Sequence, residues 1–402
     1  MLNNSSIIKF IRKNWGVIFL VLLSVYDFQL VGTPSFLKPQ FLIGLLGLVY
    51  YLEKKRCKGV THFLSYGCVM LLICLVSSVI NFRVDFFVFQ HYILVLFIYL
   101  FGWYFIVGVA KSRGIDINGI YFCIVLAVII NNLIASTGLL FRPFYDFFIS
   151  IQANSLYLDD ARLYGIGTSG SNFGGGVTSG VGMILLAYLY HKKYLNGILS
   201  IFSFIFIFCS GMLIARTTMV CVLFAFFLYI WLENSIIKTV KILIPIVILL
   251  YVLLGYFVEM FGDTYLFEHT FALFLNYQAT GQFTDNSMEH MYEFYEVWPN
   301  NLKTWLIGDH KLTDGDRYYM DIDIGYIRSV FNYGILGTFF YYMLLFSKTI
   351  LSVSVREDLF KLFVVFYLFI LVINLKGMSD SLCYVFWIPF IYKTLTIKSQ
   401  QC

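Results

Sequence analysis

Apolar runs of about 20 residues follow one another along almost the whole chain, separated by short polar turns. The pattern breaks once, between Glu259 and Asp323, where polar and charged positions dominate. A hydrocarbon core about 30 Å thick needs about 20 residues of helix at about 1.5 Å rise per residue. The alternating ten-residue segments of a membrane barrel are absent. The pattern predicts transmembrane helices, about twelve in all, over 15–32, 36–52, 60–81, 86–110, 119–141, 172–190, 195–214, 217–233, 239–260, 324–347, 360–376 and 381–394. The fold class expected is an all-α polytopic membrane protein forming one integral membrane domain over 1–402. Two connections, 142–171 and the large late loop 261–323, are long enough to carry chemistry.

Composition and charge add orientation. The chain is 60% hydrophobic and 13% charged, whereas soluble domains are roughly 45–50% apolar and about 25% charged. Lys and Arg accumulate on the cytoplasmic side of short loops. Alternating the spans places Lys9, Arg12, Lys13, the run Lys54, Lys55, Arg56 and Lys58, then Lys111, Arg113, Lys192, Lys193, Lys238, Lys241, Lys348, Arg356, Lys361, Lys393 and Lys398 on one side. Both termini and that side are expected in the cytoplasm, with net charge +13 there, −8 outside and +5 for the whole chain. No basic domain or basic patch interleaved with aromatics supports nucleic-acid binding. The first apolar run is long and lacks a small-residue cleavage site, so it is read as a retained span. None of the eight cysteines lies in the two long outer loops, which leaves no disulfide framework or zinc spacing.

The outer loops hold the candidate chemistry. Phe144, Tyr145, Phe147 and Phe148 around Asp146 suggest an aromatic segment lying at the bilayer surface. Beyond it, Arg162 leads into a glycine-rich stretch ending at Asn172. Gly165, Gly167 and Gly170 spell a dinucleotide fingerprint, but no strand precedes them and they face away from the nucleotide pool. Backbone N–H groups entering a helix can cradle an anion; the competing reading for Gly176 and Gly180 is close helix packing. Arg216 sits in a tight outer hairpin between two apolar spans. There it can snorkel to lipid phosphate or hold a substrate pyrophosphate through its planar fork.

In the large loop, Glu289, Glu293 and Glu296 would share one solvated helix face. Asp314-Gly315-Asp316 and Asp321-Ile322-Asp323 have carboxylate spacing that can hold a divalent ion, although such pairs are common in solvated loops and no metal site is assigned. His310 and Arg317 lie between these pairs, and Asp323 and Arg328 flank the entry to the next span. His62 and His91, alone in apolar spans, read as packing partners, and Lys376 and Asp380 flank the last outer turn.

This organisation resembles the O-antigen polymerase family (Wzy type), and more distantly the O-antigen ligases that share its fold. The resemblance rests on Leu213-Ile214-Ala215-Arg216-Thr217-Thr218; on Leu306-Ile307-Gly308-Asp309 followed by Asp321-Ile322-Asp323-Ile324-Gly325-Tyr326-Ile327 and Tyr333-Gly334-Ile335-Leu336-Gly337; and on Arg162 to Asn172. Ligases carry a histidine just before the helix after the large loop, where this chain has Asp323, which favours the polymerase. Many relatives also place an arginine early in that loop, where this chain reads Ser287-Met288-Glu289-His290.

The resemblance implies transfer of a growing glycan from polyprenyl pyrophosphate to a terminal sugar hydroxyl of a new lipid-linked repeat unit. The setting would be the outer face of a bacterial inner membrane, with no cofactor and no metal. Implied partners are polyprenyl-pyrophosphate-linked glycans, membrane lipids, a chain-length regulator and a flippase. Substrate binding then falls to Arg216, Arg317, Arg328, Arg162 and His310, and the base is Asp323 or, alternatively, Asp321. The ligase and a polysaccharide flippase are the rival readings. A flippase is expected to show paired halves and charges near the bilayer midplane, whereas here no internal repeat is evident and the charges gather outside.

Overall fold

The computed structural model describes residues 4–34, 37–53, 58–153, 162–282, 284, 286–314, 317–347, 350, 353–378 and 381–395. The chain is 77% helical. In order, the helices are α1 (Asn4–Val25), α2 (Pro39–Glu53), α3 (Lys58–Ile80), α4 (Phe86–Ile93), a π-helical turn (Leu94–Tyr99), α5 (Leu100–Ser112), α6 (Ile117–Leu140), α7 (Arg142–Ser150), α8 (Asn172–His191), α9 (Gly197–Ile214), α10 (Thr217–Glu233), α11 (Ile236–Phe261), α12 (Tyr265–Thr280), α13 (Asn286–Tyr295), α14 (Leu302–Ile307), α15 (Gly325–Ser347), α16 (Asp358–Ile373) and α17 (Tyr384–Thr394). A two-residue hairpin, β1 (Thr313–Asp314) and β2 (Arg317–Tyr318), interrupts the large loop.

Each predicted apolar run contains helix, although α1 ends at Val25, short of the expected limit at 32. Among the described residues, Gly59–Ile80, Ile117–Leu140, Asn172–His191 and Gly197–Ile214 are long and apolar enough to cross a membrane, while Pro39–Glu53, Phe97–Ser112 and Thr217–Glu233 are apolar but shorter. Boundaries shift for local reasons. α1 starts before the apolar run because Lys9, Arg12 and Lys13 are good helix formers, and it kinks at Asn14 (φ −116°) where the polar turn meets the apolar one. The run 86–110 is one apolar stretch in sequence but contains the π-helical turn at Leu94–Tyr99. The aromatic segment is α7, with Phe144 and Phe147 exposed and Tyr145 and Ile149 buried, so one face is apolar and open.

The chain forms two compact units. Unit 1 comprises Met1–Leu42 and Arg113–Phe283; unit 2 comprises Ile43–Ser112 and Thr284–Cys402. The first is built around α6 and α8–α10 and the second around α3–α5 and α15–α17. The large loop divides accordingly, with α12 in unit 1 and α13, α14 and the hairpin in unit 2.

In unit 1, side chains tie down the ends of the helices. Asp116 caps α6 by accepting from Gly119 N at 2.8 Å. His191 Nδ1 and Glu233 Oε1, at the ends of α8 and α10, lie 2.7 Å apart. At the opposite end the α9–α10 turn packs on α8: a Cβ on Gly176 would stand 2.8 Å from Ala215 Cβ. In unit 2, Lys111 donates to the Tyr392 and Leu395 carbonyls at 2.6 and 2.7 Å, closing the C-terminus of α17 as a cation favours. His62 lies among Phe63, Tyr66 and Phe390 rings, in the packing role expected of it.

Candidate functional site

The site in unit 1 is built on a strap, residues 162–171, that passes the end of α9, runs against the inner part of α6 and leads into α8. Two adjacent asparagines, about two turns before the C-terminus of α6, explain its path. Asn131 and Asn132 are fully buried in an otherwise apolar helix, where an amide without partners would be costly. Asn131 Oδ1 accepts from Ile166 N at 2.7 Å, and its amide donates to the Gly170 carbonyl at 3.3 Å. Asn132 donates to Ser179 Oγ at 3.2 Å and Ser210 Oγ at 3.0 Å, tying α6 to α8 and α9. Gly165 lies so close to the Asn131 amide that any side chain there would collide with it.

Gln152 and Asp27 fix the rest of the strap. Gln152 donates to Gly165 O at 3.1 Å and accepts from Gly167 N at 2.6 Å. The Asp27 carboxylate accepts from the Thr168 hydroxyl and, at 2.7 Å, from Ser169 N. Lys38 Nζ stands 4.0 Å from that carboxylate. The glycine-rich stretch that could have cradled an anion thus spends backbone groups on protein partners.

Arg162 and Arg216 come together at the head of this strap. Leu163 N donates to Leu213 O at 3.1 Å, which lays the Arg162 segment along the end of α9. Beneath lies an apolar cluster of Ala135, Tyr145, Ile149, Leu163, Tyr164, Leu213, Ile214 and Leu266. Arg216 follows immediately, at the N-cap of α10. Burial, and then the neighbouring Arg162 charge, lower the Arg216 pKa from its ordinary value. Arginine nonetheless stays cationic in proteins, so two partly buried positive charges lie near enough to act on each other. Arg162 Nε donates to His269 Nε2 of α12 at 3.1 Å.

Unit 2 assembles a second group at the entry to α15. Ile322, Ile324, Ile327 and Phe331 pack against Met291, Phe294 and Tyr295 of α13, and leave Asp323 on the open side. Arg328 Nη1 is 3.8 Å from Asp323 Oδ1, with side-chain exposures of 11% and 59%. Its guanidinium lies 3.7 Å from the Tyr318 ring centroid, a close cation–π contact. Burial of the surroundings raises the Asp323 pKa, while Arg328 and Lys376 pull it down. Because water still reaches the carboxylate, the consequence is modest. Asp321, the alternative base, is exposed and takes a left-handed backbone (φ 54°) after Met320 (φ 60°).

The remaining candidates fall in different places. His310 is fully enclosed, tilted against Phe89 at 5.1 Å, so it lies beneath the loop rather than on the face expected to meet substrate. Its backbone N donates to Asn332 O at 3.1 Å, part of the seam that docks Gly308–His310 on α15. Arg317 pairs with Asp314 across the hairpin backbone; its side chain lies outside the described residues. Asp316, Asp380, Lys54, Lys55, Arg56, Lys348 and Lys398 also lie outside them, as does the side chain of His91. Asp314 is taken by Lys311 at 2.8 Å. Glu289, Glu293 and Glu296 are exposed, as a solvated face requires. Among the described residues no group of three or more His, Cys, Asp or Glu could hold a metal ion.

Asn131, Asn132, Gln152, Asp27 and His269 escape the reading of the sequence. Two consecutive amides inside an apolar run were the available signal, since polar residues there demand partners; the other three sit in polar context and carry none. Family models, curated proteins and solved structures were each compared with the chain, and none matches it.

Proposed function

We propose that this chain is a membrane glycosyltransferase of the O-antigen polymerase type, with about twelve spans, both termini in the cytoplasm and its active face outside a bacterial inner membrane. It joins lipid-linked oligosaccharide repeat units into a surface polysaccharide. The growing glycan leaves its polyprenyl pyrophosphate and bonds to a terminal sugar hydroxyl of the incoming unit. The observation that carries this reading is the pairing of Arg162 and Arg216 at the end of an apolar bundle. Two guanidiniums held together against mutual repulsion suit a dianionic leaving group whose lipid tail stays in the bilayer.

In this reading Arg216 and Arg162 hold the departing pyrophosphate. Arg328, with Arg317, serves the phosphate of the acceptor. Asp323 accepts the proton of the attacking hydroxyl as the new glycosidic bond forms and the bond to the pyrophosphate breaks. Its raised pKa makes it a better base than an ordinary surface carboxylate. Purified protein given a defined polyprenyl-pyrophosphate-linked repeat should yield a ladder of products spaced by one repeat. Transfer only to a lipid A core acceptor would identify a ligase, and movement of the substrate across the bilayer without joining would identify a flippase; either result overturns the proposal.

A further inference from the structure

An arginine nitrogen donates and never accepts, so the bond from Arg162 Nε fixes the state of its partner. His269 Nε2 must present a lone pair, and the imidazole is neutral. Among the described residues, Nε is the one Arg162 nitrogen with a hydrogen-bond partner, which leaves the two terminal amino groups to a ligand. The identity of the acceptor matters here. A carboxylate in that position would hold Arg162 equally well, but would cancel the positive charge that Arg162 and Arg216 jointly offer. A neutral imidazole grips the inner edge of the guanidinium and leaves its charge intact.

The helix is built to put His269 there. Thr264 caps α12 by accepting from Phe267 N at 3.3 Å, and Gly281 ends it with φ 75°. Leu266 and Thr270 are buried, and Leu266 joins the apolar cluster beneath Arg162. His269, three residues after Leu266, therefore shares its face and meets the strap.

We propose that His269 is the positioning residue of the unit 1 anion site, a neutral acceptor on α12 that aims Arg162 at a phosphate or diphosphate group. The inference rests on the reading of Arg162 and Arg216 as an anion site. Three kinds of substitution separate what His269 supplies. His269→Gln keeps a neutral acceptor, His269→Leu removes it, and His269→Glu keeps it but adds a negative charge.

The test is titration of inorganic pyrophosphate into the purified full-length chain in detergent, with helicity and thermal unfolding checked for each variant. The Gln variant should hold affinity within about twofold, whereas the Leu and Glu variants should weaken it by about tenfold or more. In an Arg162→Ala background, His269→Leu should cost nothing further, because the two act through one bond. A Gln variant as weak as the Leu variant, or additive losses in that background, would overturn the positioning role. If His269→Leu fails to fold, the Gln and Glu variants decide by the same criterion. Pyrophosphate binding that is absent from the parent chain, or unchanged by Arg162→Ala and Arg216→Ala, would instead remove the anion site itself. Arginine variants that weaken binding while every His269 variant leaves it unchanged would remove this inference alone.

Discussion

A guanidinium and an ammonium carry the same charge but hold a diphosphate differently, and the proposed role of Arg216 rests on that difference. Its planar fork can engage two oxygens at once, where lysine supplies a single point of charge. Arg216→Lys should therefore lower polymer yield by about tenfold or more at unchanged protein level; full-length glycan from that variant would release Arg216 from the site. Asp323 gives a pH signature. A base works deprotonated, so the acid limb of the turnover profile should lie higher than an ordinary exposed aspartate would give, in the direction burial shifts this group. Asp323→Asn should abolish that limb and slow turnover by about 10²- to 10⁴-fold, and unchanged turnover would pass the role to another group. His310 affects stability instead. Its ring is sealed from water just below the surface, and burial, then Arg83, lower its pKa against the opposing pull of Asp85. Lowered in the fold, the group favours folding above its unfolded pKa of about 6.5 and loses that contribution as pH falls below it. Thermal unfolding of the parent chain should thus weaken more steeply between about pH 7 and 5 than that of His310→Leu. Charges bordering apolar runs announce themselves, which is why Arg216 and Arg328 could be singled out from the sequence. His269 and Asp27 could not, because a polar residue in a polar segment reveals its partner only once the chain has folded.

Helices follow from hydropathy because a backbone in hydrocarbon must satisfy its own hydrogen bonds, and every apolar run here does contain helix. What the runs do not encode is which of them associate. Packing in a bilayer depends on small residues and a few hydrogen bonds, and those signals are brief. Gly176 is one that could be read: it seats the Arg216 hairpin on α8, with Ala215 Cβ at 2.8 Å and Thr217 Cβ at 3.3 Å from where its own Cβ would be. Gly176→Leu should force the hairpin off α8 at an overpacking cost of about 1–3 kcal/mol. It should impair polymer formation more than membrane insertion, which blotting of washed membranes beside a glycan assay would separate. Normal polymer from that variant would mean the hairpin position is not critical. The strap was harder to anticipate. Its glycines matched an anion-binding pattern, yet their backbone groups are consumed by Asn131, Gln152 and Asp27. The flexible backbone serves to bring Arg162 to Arg216 rather than to hold a ligand directly.

Across the whole molecule the charge asymmetry expected from alternating the spans, +13 on one side and −8 on the other, says more than the net +5. It is the basis of the orientation proposed for the chain, and orientation decides which chemistry is available, since lipid-linked repeats and nucleotide pools lie on opposite faces. Unit 1 supports the alternation internally: Asp116, His191 and Glu233 gather at one end of α6, α8 and α10, whereas Arg162 and Arg216 gather at the other. The division into two units was not legible because a hydropathy profile records spans and no contacts, and because the large loop contributes to both units. Orientation can be tested without any substrate. The cysteines are expected in spans or on the cytoplasmic side, and Cys74, Cys123, Cys221 and Cys383 are buried. Intact cells should therefore give little labelling of the parent chain by a membrane-impermeant maleimide. A cysteine introduced at exposed Glu293 should label readily from outside, and one introduced at Arg113 only after permeabilisation. The reverse pattern would turn the arginine pair towards the cytoplasm, away from exported repeat units, and the polymerase reading would lose its substrate.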